Sequence, residues 1–174
     1  MQVIALLRGV MPTGKNRIPK MSYLAEQLEA AGFTQVQTYI QSGNVLLETI
    51  LSPAATAAKI HDVILEKIGA DLSVIIKTKK DFQIAVSENP FSSSLDASRI
   101  HVVFTNDSID LKRLKQIEET SFAGELFASG TVCLYLYLPR NAAKKQLNNN
   151  YLEKRLGIVS TMRKLNVIQH LITM

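Results

Sequence analysis

The hydrophobic period of this 174-residue chain changes in the same order twice, and that order limits the folds open to it. Val3–Arg8 is apolar at consecutive positions and bounded by Gly9, so it reads as a strand covered on both faces. Met21, Leu24, Ala25, Leu28 and Ala31 form the stripe of a helix that opens near Pro19 and ends at Gly32. Gln35–Gln41 and Asn44–Glu48 read as a hairpin around Ser42-Gly43. Ser52-Pro53 supplies an N-cap and a first-turn proline for a helix burying Ala57, Ile60, Ile64 and Ile68, stopped by Gly69. Leu72–Thr78 closes the series as a strand. A capping-box-like start at Thr78 opens a short helix that must end before Asn89-Pro90. From residue 99 the order begins again. Arg99–Thr105 reads as a strand, Leu111–Thr120 as a helix, Glu125–Ala128 and Thr131–Leu138 as strands, and Ala142–Leu156 as a helix closed by Gly157. An extended piece and a terminal helix from about Asn166 follow.

This order predicts an α+β protein of two tandem ferredoxin-like (α-β plait) domains joined by a short helix and a Ser-rich linker. Residues 1–78 form the N-terminal plait and residues 79–98 the linker helix and loop. Residues 99–174 form a C-terminal plait variant with an extra terminal helix. The halves share element order and no sequence period.

Charge is uneven. The chain carries 20 basic and 15 acidic residues, and 47% of it is hydrophobic, which excludes a wholly disordered chain. The basic excess is concentrated after residue 139, where Arg140, Lys144, Lys145, Lys154, Arg155, Arg163 and Lys164 face one acid, Glu153. Such a segment either attracts phosphate-rich partners or forms a solvated helix face. The single cysteine, Cys133, excludes an internal disulfide and a multi-cysteine zinc site, and it fits a reducing cytosol. The apolar stretch at the N-terminus is too short for a signal sequence, and no run approaches the ~20 residues of a membrane span. A cytoplasmic protein with no membrane association is expected.

Gly9-x4-Gly14-Lys15, following a strand, has the spacing of a phosphate-cradling loop. Asn16 stands where a nucleotide hydrolase needs Ser or Thr to hold magnesium, so such an enzyme is not expected. Two readings remain open, an anion held by Arg8, Gly9, Gly14, Lys15 and Asn16, or a glycine-rich connection with an exposed lysine. Gln41, Ser42 and Asn44 at the hairpin tip either extend one polar site or serve the turn alone. Tyr135 and Tyr137 share one face of their strand. They suggest either packing or the stacking platform of an RNA-binding sheet, though the glycine and basic residues of that motif are missing. His61, His101 and His170 lack metal-ligand spacing, and no cofactor or metal is expected.

The segments LLRGVMPTGKNRIPK, TYIQSGNV, NPF, KKQLNNNYLEKRLG and STMRKLNVIQHL resemble, in the same order, a bacterial family of uncharacterised proteins, domain-of-unknown-function family 1697. The resemblance implies an α+β fold of two plait domains and no assigned activity. Relatives usually read Asn-Val-Gly-Gly where this chain has Met11-Pro12-Thr13-Gly14. They read Thr-x-Arg-Asn-Trp-Asn where it has Thr161-Met162-Arg163-Lys164-Leu165-Asn166. Thr161, Arg163 and Asn166 therefore match the family pattern, and the Asn-Trp pair is replaced.

Together these readings favour a small binding module for a phosphate-bearing ligand, a nucleotide-like molecule or nucleic acid, in which Thr161, Arg163 and Asn166 join the loop residues. The alternatives are an enzyme acting on a phosphorylated small molecule and a homodimeric interaction protein.

Overall fold

The computed structural model describes all residues from Met1 to Met174. The chain divides into two compact units of similar size, Met1–Lys79 with Met174, and Lys80–Thr173. No helix is long and apolar enough to cross a membrane.

In the first unit, strands β1 (Gln2–Arg8), β2 (Thr34–Tyr39), β3 (Asn44–Glu48) and β4 (Ser73–Lys77) form an antiparallel sheet in the order β2-β3-β1-β4. β1 is central, pairing Leu6 with Asn44 on one edge and with Ile75 on the other. Its alternate residues Val3, Ala5 and Leu7 join Val45, Leu47, Val74 and Ile76 in a core closed by helices α1 (Met21–Ala30) and α2 (Pro53–Ile68). Leu24 and Leu28 of α1 and Ile60 and Ile64 of α2 supply the helical side. Ile4, Leu6, Leu46 and Ile75, on the opposite sheet face, are buried too, as consecutive apolar positions require. Ser52 caps α2 by accepting the Ala55 N–H at 3.2 Å, and Gly69 ends it at φ +82°. β2 has a register irregularity between Thr34 and Gln37, where Gln35 adopts φ +52°.

The second unit contains helices α3 (Lys79–Ser87, from its second residue), α4 (Leu111–Glu118), α5 (Asn149–Leu156) and α6 (Leu165–Thr173). Its strands are β5 (Ile100–Thr105), β6 (Leu126–Ser129), β7 (Leu134–Tyr137) and β8 (Ser160–Lys164), antiparallel in the order β6-β7-β5-β8. Val103, Leu134 and Leu136 on one sheet face pack with Ile117 of α4 and with Leu152 and Leu156 of α5. The other face carries Val102, Phe104 and Tyr135, in register with Arg163 and Thr161 of β8.

The expectation of two tandem ferredoxin-like domains joined by a short helix and a Ser-rich linker is corrected here. The chain has two separate four-stranded antiparallel sheets with helices, and the supposed connector is part of the second unit's core. Phe82 of α3 is wholly buried and stacks on Phe104 with ring centroids 5.0 Å apart. The Tyr135 hydroxyl donates to the Ala85 carbonyl at 2.7 Å. Phe91, within the Ser-rich stretch, contacts the rings of Tyr135 and Tyr137 at 6.1–6.4 Å. The physical reason is that α4 and α5 cover one face of this sheet, and the apolar residues of the other face also need covering. Tyr135 is therefore wholly buried, with its hydroxyl committed and burial pushing its pKa well up. It offers no stacking platform.

Two boundaries also differ from the sequence reading. α5 begins at Asn149 rather than Ala142, because Glu125 Oε1 accepts the N–H groups of Gln146 (2.6 Å) and Leu147 (2.9 Å) and holds that stretch out of the helix. Asn148 then caps α5 by accepting the Tyr151 N–H at 2.8 Å. β7 begins at Leu134, because Thr131 instead donates its N–H to Glu88 at 2.9 Å.

Gly43 lies at φ +88°, and a Cβ there would sit 2.7 Å from Leu7 Cβ on the central strand. Gly43→Ala is expected to destabilise by about 2–4 kcal/mol, from the left-handed backbone plus the overlap. Gly14→Ala, at φ +80° with open space around it, should cost only about 1 kcal/mol. Urea unfolding distinguishes the two; equal effects would contradict the packing described. Glu125→Ala removes the acceptor of two amide groups, one of them buried, and should cost about 2–4 kcal/mol by the same measurement.

Candidate functional site

The connection from β1 to α1, residues 9–20, turns on Gly9 (φ +97°) and Gly14 (φ +80°). It is pinned at several points. The Met11 N–H donates to the Asn16 carbonyl at 2.9 Å, and the Arg17 N–H donates to the Gly14 carbonyl at 3.3 Å. Asn16 Oδ1 accepts the Asp71 N–H at 3.1 Å, and buried Ile18 presents its carbonyl to Gln41 Nε2 at 2.5 Å. The structure therefore brings the hairpin tip to the loop through Gln41, and Leu7 N–H donates to the Gly43 carbonyl at 2.9 Å beside it.

Not every expected residue faces outward. Asn44 is wholly buried, and its amide donates to the Tyr39 carbonyl (2.9 Å) and to Ser42 Oγ (3.2 Å). Asn44 and Ser42 thus serve the turn. Asn16 Oδ1 is committed to holding the Asp71 backbone, and the Met11 amide is bonded across the loop to the Asn16 carbonyl, which removes one donor from any amide cradle. Arg8, half-buried at the end of β1, is in register with Ser73. What the loop exposes is charge. Gly14, Lys15, Arg17 and Lys20 are all exposed, and Lys15, Arg17 and Lys20 have no ion-pair partner. The first acidic residue of the chain is Glu26. α1 begins at Met21, after the extended Lys20, with no side-chain cap.

In the second unit, Thr161 and Arg163 are buried and bonded to each other. Arg163 Nη1 donates to Thr161 Oγ1 at 2.7 Å and to the Met162 carbonyl at 3.0 Å. Burial lowers the Arg163 pKa to about 10. Asn166 is exposed on α6. Arg163 is thus an internal strut of the sheet face that also carries Phe104 and Tyr135.

A hollow of about 330 Å³ in the first unit, lined by Met1, Phe33, Ile50 and Lys59 among others, contains none of these residues. It lies at the other end of β1 from Gly9, a strand length of roughly 20 Å away. The loop presents exposed cations, and none of its residues lines that hollow.

One neighbouring group was not legible in the sequence. His61 on α2 bonds Asp71 Oδ1 through Nε2 at 2.9 Å and Asp62 Oδ1 through Nδ1 at 3.1 Å. The hydrogen bond to Asp71, then that to Asp62, raises its pKa. Asp71 is the residue whose N–H Asn16 holds, so His61, Asp71 and Asn16 form one chain of contacts from α2 to the loop. No spacing rule connects positions 16, 61 and 71, which the fold alone brings together. Because the folded pKa is raised, this contact stabilises fully below the unfolded value of about 6.5 and is lost as pH rises through the folded value. Wild type should therefore be more stable than His61→Gln near about pH 5.5, with the difference shrinking towards about pH 8. Urea unfolding across that range checks this, and a pH-independent difference would contradict it.

The comparisons with known proteins agree with the fold. Residues 1–135 match the family described as a protein of unknown function, DUF1697. Among solved structures, the conserved bacterial protein SP0830 from Streptococcus pneumoniae is similar with a TM-score of 0.76 at 21% sequence identity, over 99% of this chain and 97% of that one. At that identity the likeness speaks to the fold alone. No curated protein matches the chain.

Proposed function

The chain belongs to the DUF1697 family, and from that premise we propose that it is a small binding module whose 9–20 loop holds a phosphate-bearing ligand. The observation that carries this reading is a set of exposed, unpaired cations, Lys15, Arg17 and Lys20, on a loop whose backbone is already fixed by Asn16, Ile18 and Gln41. A fixed loop loses little conformational entropy on binding, so its charges act at low ordering cost.

Magnitude narrows the ligand. Exposed charge contacts contribute about 0.2–1 kcal/mol each. Three of them sum to a few kcal/mol, too little to hold a single phosphate group tightly. A ligand with several phosphates, a nucleotide polyphosphate or a nucleic-acid backbone, uses all three at once and adds counterion release. The setting proposed is the bacterial cytoplasm, where the one buried thiol, Cys133, stays reduced.

Binding of a fluorescent single-stranded oligonucleotide and of a nucleoside triphosphate to wild type and to a Lys15→Ala/Arg17→Ala double variant tests this. The double variant should bind roughly tenfold or more weakly at low salt, and its logarithmic salt slope for the oligonucleotide should fall by about 1–1.5. Equal affinities and equal slopes for both probes would remove the loop from the account.

A further inference from the structure

We infer a separate oxyanion-binding site in the second unit, in the hollow between α4 and α5 lined by Arg113, Gln116, Thr120, Tyr151 and Arg155. Its volume is about 180 Å³, room for a small anion rather than a cofactor. It shares no residue with the 9–20 loop and does not depend on that loop's function.

Apart from Thr120, whose hydroxyl donates to the Gln116 carbonyl at 2.7 Å, these donors lack partners. The guanidinium groups of Arg113 and Arg155 have no carboxylate partner, and the side chains of Gln116 and Tyr151 have no hydrogen-bond partner. The acids of the two helices are committed elsewhere. Asp110 caps α4 through the Arg113 N–H at 2.9 Å, and Glu118 accepts from Ser129 Oγ at 2.5 Å. Glu119 faces Lys115 at 3.8 Å, and Glu153 accepts the Ser160 N–H at 2.8 Å. Two like charges around one small hollow repel, and an anion between them converts that repulsion into attraction.

The donors are also held in place. The Arg155 guanidinium lies over the Tyr151 ring, 5.3 Å from its centroid. A guanidinium held over an aromatic ring keeps N–H groups for a forked contact to two oxygens. The Tyr151 ring is fixed edge-to-face on Phe122, with centroids 5.9 Å apart. Arg113 Nη1 lies 2.9 Å from where a Cβ at Gly157 would stand, so the glycine gives that guanidinium its seat over the C-terminus of α5. The partial negative charge of that helix end draws Arg113 there, and the N–H groups facing the hollow remain unused. The chemistry that satisfies both forks plus neutral donors is a phosphate or carboxylate group.

The test is a titration of the ¹⁵N-labelled full chain with inorganic phosphate and, separately, with malonate, at ionic strength held constant with chloride. Saturable movement of the Gln116, Thr120, Arg155 and Gly157 amide signals is expected. Arg113→Gln and Arg155→Gln should each weaken the apparent affinity by roughly tenfold or more. Arg155→Lys keeps the charge and loses the fork, so it should also weaken binding. A response to phosphate alone supports the site and names a phosphate ester as its ligand, and a response to malonate alone supports it and names a carboxylate. No saturable movement with either anion, or movement that persists at full affinity in both glutamine variants, would overturn the inference.

Discussion

Burial of β1 on both faces is the constraint from which the first unit follows. Val3 to Leu7 are all buried, and the strand pairs along both edges, with β3 and with β4. Such a strand has one tolerable position, the interior of a sheet, and it fixes where the chain emerges at Gly9. The hairpin tip is then set by contact, because only a residue without Cβ lets position 43 rest on Leu7. Gln41 extends from that tip to the Ile18 carbonyl. The cationic loop is thus held by the same packing that forms the core. Its charges are surface charges on a rigid frame, the arrangement in which weak individual contacts act together.

The second unit solves a different problem with similar strands. Its sheet is apolar on both faces, so two helices on one side are insufficient. The α3 helix and Phe91 take up the other side, where Tyr135 finds the Ala85 carbonyl. Arg163 sits on this same buried face with its charge satisfied in part by Thr161 and by a main-chain carbonyl. A buried guanidinium is costly unless bonded, which makes Arg163 a structural residue first.

Much of this was legible in the sequence. Helix caps at Ser52, Gly69 and Gly157, the Ser42-Gly43 turn and the doubly apolar β1 are local patterns, and local patterns carry their own physics. The connector's place in a core is not legible, because Phe82 and Ala85 form a two-residue stripe, too short to announce which core it joins. The start of α5 is hidden for a related reason. Ala142–Leu147 has helix-compatible composition, and the competitor that wins is a carboxylate from Glu125, some twenty residues away. The exposed charge of Lys15 could be read directly, but the burial of Asn44 and Arg163 could not, since polar residue type argues against it and only tertiary contacts pay the desolvation. The Arg113–Arg155 hollow joins residues of two helices far apart in sequence, which no local pattern connects.

If the 9–20 loop holds a phosphate-bearing ligand as proposed, it does so preformed rather than by ordering on binding. Backbone hydrogen exchange of residues 9–20, 41–44 and 71, with and without a saturating nucleoside triphosphate, addresses it directly. The Met11, Arg17 and Asp71 amides should already be protected without ligand, with further slowing confined to the exposed stretch around Gly14 and Lys15. Unprotected amides in the free protein, or ligand-induced slowing that leaves the loop untouched, would contradict it.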